Sequence, residues 1–345
     1  MTIVFYISGH GFGHASRDVE LLNAIAAADG DVRFVVRAMI PDWLFTRART
    51  TLDVQKVATD TGLVQIDSLR FDEEETVRQA AAFYRTFNER ADAEALVLEG
   101  ARADLVVGDI PPLAFAAAAR AGVKSLALGN FTWDWIYGIY PAFDTLAPDV
   151  IPAIRAAYAT ATRALRLPFH GGFEPMAAVT DDIPLIARRS RRDPAETRRL
   201  LGVAAGRPFV LASFGAYGAP LPYDAIRASG QFTLLVVEQL APQGLLYEDL
   251  VAAADVVVSK PGYGIVSECI ANNTALLYTS RGHFIEYDVF VAEMPRWLRC
   301  RFISQEDLMA GRWAGAIAAL LAQPAPPDRA RVDGAEIAAA IILSS

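Results

Sequence analysis

Cysteine is almost absent. Cys269 and Cys300 are the only two in 345 residues, so neither a disulfide framework nor a thiolate metal cluster can be built, and a reducing cytosol fits. Positive charge is also short: 32 Lys and Arg stand against 40 Asp and Glu, a formal net charge of −8. A general nucleic-acid binder needs a basic face, so that class is set aside. No run approaches the ~20 uninterrupted apolar residues of a membrane-spanning helix. The first residues lack the basic-then-apolar layout of a secretory leader. The expectation is a cytoplasmic protein without an integral membrane segment.

What is present is an alternation. Hydrophobic residues make up 53% of the chain and are spread throughout, which excludes global disorder. Strand candidates at 3–7, 33–37, 54–57, 104–108 and 124–128 are separated by helical patterns, among them a long Ala- and Leu-rich one at 74–99. A second series begins near 184, with strands at 208–213, 232–237, 255–258, 275–278 and 301–304. "DPAE" at 193–196 reads as a helix start, with Asp193 as N-cap, Pro194 at the first helical position and Glu196 closing a capping box. Such alternation predicts an α/β protein with two Rossmann-like domains, each built on a parallel sheet, facing a central cleft. The domains are expected at 1–175 and 176–345, joined within 165–185, where "RLPFHGGFEPM" breaks the periodicity. A last apolar helix at 334–343 is a candidate to pack back on the first domain.

Ligands of open α/β sheets bind beyond the carboxyl ends of the strands. In the first half the turn after the first strand is "SGHGFGHAS", residues 8–16. It lacks the lysine of a phosphate-binding GxxxxGK[ST] loop. As a dinucleotide fingerprint it puts His14 where the third glycine belongs, although Arg37 could then read a 2′-phosphate as in an NADP enzyme. The remaining reading makes His14 a general base, with Gly11 and Gly13 giving clearance to an acceptor. A ring at a helix N-terminus is disfavoured as imidazolium, so this base needs an orienting acid. Asp109, ending the strand of "DLVVGDIPP", supplies one. The plainer alternative is that Asp109 caps the following helix and His14 fills the turn. His10, on the outer limb, is a hydrogen-bonder or a structural residue.

The second half carries "VSKPGYGIVSE", 258–268. Lys260, Gly262, Tyr263 and Gly264 lie between a strand and a helix, which makes an anion site of free amides, helix dipole and ammonium charge. Glu268 falls one turn into that helix, placed to accept ribose hydroxyls, or else it is a solvated surface acid. Ser213 and Gly215 of "SFGAYG", in the turn after the first strand of this half, are expected to line the same anion site. "NFTWDWIYGIYPAF", 130–143, concentrates aromatics after a strand; Phe131, Trp133, Asp134 and Tyr137 form either an acceptor pocket or core. Arginines 188, 189, 191, 192, 198 and 199 read as a solvated helix face. His283 and Glu286 have no third close ligand, so no metal is expected.

These motifs resemble those of the GT-B glycosyltransferases, the fold of the lipid II-forming N-acetylglucosaminyltransferase and of plant UDP-sugar transferases. Over nearly all 345 residues the chain is similar to the N-terminal glycosyltransferase-like region of plant-type L-arabinokinases, through residues 8–17, "NFTWD" at 130–134, "LPFHGGFEPM" and "KPGYGIVSE". The resemblance implies an inverting transferase that uses a nucleotide-diphospho-sugar, UDP-linked, as co-substrate, with no other cofactor. His14 and Asp109 match its dyad; Gly262 and Glu268 match its diphosphate and ribose positions. Glu286 fits the acid that reads the donor sugar, but Tyr287 replaces the usual glutamine, and Ile265 stands where many members have Ser. No kinase phosphate loop is present, so kinase activity is not implied. Two alternatives stay open: a nucleotide-sugar epimerase or hydrolase on this fold, and a non-catalytic nucleotide-sugar-binding protein.

Overall fold

A computed structural model describes residues 1–9, 12–215, 218–237 and 244–345. The chain divides into two compact units. The first comprises Met1–Gln65, Phe71–Ile186 and Arg331–Ser345; the second comprises Ile66–Arg70 and Ala187–Ala330.

The first unit holds β1 (Thr2–Ile7), β2 (Arg33–Arg37), β3 (Leu52–Gln55), a short antiparallel pair β4 (Val64–Gln65) and β5 (Phe71–Asp72), and then β6 (Leu105–Asp109), β7 (Lys124–Phe131), β8 (Arg163–Gly171) and β9 (Thr180–Asp182). Seven of these form one parallel sheet in the order β3-β2-β1-β6-β7-β8-β9. Ile3 to Ile7 are fully buried, as a parallel strand covered on both faces requires, which is why β1 reads as an unbroken apolar run. The register pairs Ile7 with Asp109. The carboxyl end of β1, from which the histidine turn departs, therefore lies beside the carboxyl end of β6. The helix Gly13–Ala28 follows that turn, and the last helix, Gly334–Leu343, packs against it.

The second unit is a five-stranded parallel sheet in the order β11-β10-β12-β13-β14, from β10 (Phe209–Ala212), β11 (Thr233–Val236), β12 (Val256–Ser259), β13 (Ala275–Tyr278) and β14 (Cys300–Phe302). Its core joins Val210, Val258, Leu277 and Trp313 with Leu69. Beside Leu69, the Ser68 hydroxyl donates to the Phe214 carbonyl at 2.6 Å. That packing is why the tip of the β4–β5 hairpin counts with this unit.

Several expectations need correction. The first division falls at 186/187 and not at 175/176, because β8 and β9 extend the first sheet through the stretch expected to be a linker. Pro168 is accommodated where the β7–β8 register shifts, at a point that requires no ladder donor. The helix expected over 74–99 is two, Glu73–Arg85 and Phe87–Ala101, because the Thr86 amide turns to the Phe83 carbonyl three residues back. Asp193 does cap Pro194–Leu200, accepting from the Ala195 amide. Glu196 instead bonds Arg192 at 3.0 Å, so that pair leaves the capping box open.

Candidate active site

In the first unit, Gly9 permits close approach of the histidine turn: a Cβ there would lie 3.2 Å from the Met39 carbonyl oxygen. Gly13 opens the helix and His14 occupies its second position. His10 and Gly11 lie outside the described residues. His14 Nδ1 is 2.8 Å from Asp109 Oδ1, and its ring stands edge-on to Phe131, with centroids 5.6 Å apart at 80°. Asp109 is fully buried. Burial alone would raise its carboxyl, but Arg17 and then His14 offset that and hold it well below the ordinary carboxylate range. An ionised carboxylate only accepts hydrogen bonds, so the 2.8 Å contact favours the proton on Nδ1, although Arg17 Nη2, itself a donor, lies 3.1 Å from the same nitrogen. Nε2 is then the lone-pair nitrogen.

Asp109 does not cap the following helix, whose N-cap is Pro111 with no side-chain cap. Arg37 is committed elsewhere: its guanidinium bonds Glu94 and, at 2.6 Å, Gln55. It is therefore not placed to read a 2′-phosphate.

Two residues missed in the sequence complete this cluster. Arg17, one turn beyond His14, donates from Nε to Asp109 Oδ2 at 2.5 Å and from Nη2 to Oδ1. Its Nη1 donates to Asn130 Oδ1 at 2.8 Å. The signal was available in the i, i+3 spacing of His14 and Arg17, but a helical arginine reads by default as a surface residue.

The aromatic stretch is mostly interior. Phe131, Trp133, Asp134 and Tyr137 are all buried. The Tyr137 hydroxyl donates to the Gly62 carbonyl at 2.9 Å and its ring stacks on Phe143 at 4.4 Å, so this residue is core and not an acceptor platform. Trp133 donates to Asp60 at 2.9 Å, and Asp134 pairs with Arg155 at 3.0 Å. Phe131 is the member of the set that touches His14.

In the second unit, β12 delivers Ser259 and Lys260 to the start of the helix Tyr263–Ala271, whose N-cap is Gly262. Gly264 is the second residue of that helix, and its carbonyl accepts from Ser267 at 3.0 Å. Arg281, unforeseen in the sequence, stands over this turn: a Cβ on Gly262 would have Arg281 Nη1 as its nearest neighbour, at 3.8 Å. Arg281 stacks on Phe284 at 4.2 Å and lies 3.8 Å from Glu286, which is buried in the helix Ile285–Glu293. Burial, and then the charge of Arg281, pull the Lys260 ammonium down to about 7. Two cations brought together at a helix N-terminus suit an anion.

Glu268 is buried, not a solvated acid. Arg188 donates to its Oε1 at 2.5 Å and lies over the Tyr247 ring at 4.9 Å. Residues 188–192 precede the helix Pro194–Leu200, so the six arginines form no single face. Arg198 reaches Asp255, while Arg189, Arg191 and Arg199 are exposed. Ser213 Oγ is 2.7 Å from the Tyr247 hydroxyl, and Gly215 takes a left-handed φ of 74°, which favours glycine. Among the described residues, no group of three or more His, Cys, Asp or Glu gathers as metal ligands, and no helix is long and apolar enough to cross a membrane.

No family model matches the chain. It is 32% identical over 364 aligned positions to the L-arabinokinase of Arabidopsis thaliana, covering 99% of this chain but 34% of that protein. The chain thus spans about a third of the length of the curated relative it matches. Among solved structures, a glycosyltransferase of kitacinnamycin superposes with a TM-score of 0.65 at 16% identity, over 99% of this chain and 98% of that one. A putative UDP-N-acetylglucosamine 2-epimerase from Listeria monocytogenes gives 0.58 at 13% identity, over 99% and 96%. The Streptomyces glycosyltransferase SsfS6, complexed with thymidine diphosphate, gives 0.54 at 17% identity, over the whole of both chains. The chain has the GT-B fold.

Proposed function

We propose that this GT-B chain is an inverting glycosyltransferase that moves a sugar from a nucleoside-diphosphate sugar, UDP-linked in the first instance, to an acceptor hydroxyl. The observation that carries this reading is the buried His14–Asp109 pair at the carboxyl ends of β1 and β6. Nε2 of His14 takes the acceptor proton, and Asp109 supports the imidazolium that forms. The acceptor oxygen then bonds to the anomeric carbon from the face opposite the diphosphate. The bond from that carbon to the diphosphate oxygen breaks, and its electron pair leaves with the nucleotide.

Lys260, Arg281 and the amides that open Tyr263–Ala271 balance the departing charge. Glu268, held by Arg188, accepts ribose hydroxyls. Glu286 contacts the sugar, and Ser213 and Gly215 flank the diphosphate. Phe131 lines the acceptor side next to His14.

The likeness to a 2-epimerase supports a second reading, in which a nucleotide sugar is processed without an acceptor. One experiment separates the two. The full chain is incubated with a panel of UDP- and TDP-sugars, with and without hydroxylated acceptors, and nucleoside diphosphate is measured. Release that requires an acceptor supports transfer; release without one supports the epimerase-type reading. No release from any donor, together with no binding of UDP or TDP, contradicts both.

A further inference from the structure

We infer that Arg17 is a positioning residue that sets the tautomer of His14 through Asp109. Its consequence for catalysis rests on the reading of His14 as the base; the tautomer itself does not.

The geometry is specific. His14, Arg17 and Asp18 fall at i, i+3 and i+4 on one face of Gly13–Ala28. Asp109 and Asn130 come from the ends of the neighbouring strands β6 and β7. Arg17 is 4% exposed and gives its fork to both oxygens of Asp109. Its third arm is pinned by Asn130, whose amide in turn donates to the Phe169 carbonyl at 3.4 Å. Asp109 Oδ1 is shared between Arg17 and His14 Nδ1. The bidentate grip therefore fixes where that oxygen stands and keeps it an acceptor.

Asp18 does not compete for Arg17. It is fully buried, and its carboxyl faces that of Asp109. Burial, and then the charge of Asp109, push its carboxyl well above the ordinary range, the direction that leaves the guanidinium charge to Asp109.

Without Arg17, Asp109 would be an uncompensated buried carboxylate, and burial would drive a proton onto it. A protonated Asp109 donates to His14 Nδ1 instead of accepting from it. The imidazole proton then moves to Nε2, and the base loses its lone pair on the side where it is needed. An arginine kept only for packing would have no such effect on the ring.

Imidazole nitrogen NMR on the full chain without substrate at pH 8 tests this. The sequence has four histidines, and His14 is assigned by the loss of its signal in His14→Gln. The wild type should show His14 protonated at Nδ1 and bare at Nε2. Arg17→Gln should move the proton to Nε2, whereas Arg17→Lys, which keeps the charge, should largely restore the wild-type pattern. Nε2–H in the wild type overturns the inference, as does Nδ1–H in a folded Arg17→Gln protein. If Arg17→Gln does not fold, the wild-type and Arg17→Lys spectra decide: Nδ1–H in both supports the inference, and Nε2–H in either overturns it. A proton that moves as described in a protein with no transfer activity leaves the inference standing and removes the functional reading. Transfer activity with an unmoved proton does the reverse.

Discussion

Lys260 shows how a single residue can make ligand binding pH-dependent. In the free protein its ammonium titrates near 7, pulled down first by burial and then by Arg281. A bound diphosphate favours the charged form, so the folded, liganded protein holds the proton to higher pH. Affinity should therefore be greatest below pH 7 and fall as pH rises above it, by up to about tenfold per unit. Calorimetric titration of UDP at pH 6.5 and 8.5 should show this fall in the wild type and a flattened dependence in Lys260→Met. A flat wild-type response would place Lys260 outside the anion site. At this scale the sequence was legible where a residue type is unusual for its place: His14 in a glycine turn, Asp109 at a strand end, Lys260 before a glycine loop. It was not legible where the same residue type serves inside and outside. Arg17, Arg188 and Arg281 make the buried charge pairs and stacks of both sites, but an arginine's sequence neighbours do not say whether its carboxylate partner lies across the sheet. Asp109 is 92 residues from Arg17, and Glu268 is 80 from Arg188.

Among the elements, the central strands were readable because burial on both faces leaves unbroken apolar runs, as in β1 and β13, and the last helix was readable from its apolar composition. The hairpin Val64–Asp72 was not. Its strands are two residues each, too short to show alternation, and its tip is stabilised by contacts distant in sequence. Leu69 is 5% exposed in the core of the second unit. Leu69→Ala should cost about 2–5 kcal/mol, the range for emptying a core site. Urea unfolding of the full chain should show that loss in the transition that reports on Trp313, a residue of the same core. A change below about 0.5 kcal/mol would mean that the hairpin tip only rests on the unit's surface.

For the whole molecule, two Rossmann-like units and parallel sheets followed from the alternation of strand and helix. The limits of the units did not, because the first is assembled from three separate stretches of chain. Periodicity reports elements and is silent on which sheet a late strand or helix joins. The proposed function assigns the base to the first unit and the anion site to the second, so the two should fail separately. The most direct measurement is the pairing of UDP affinity with the rate of acceptor-dependent transfer in His14→Ala. The affinity should stay within about twofold of wild type, while turnover falls by ~10²-fold or more, the contribution of a general base. Full transfer activity in His14→Ala would contradict the account and return the histidine turn to a packing role.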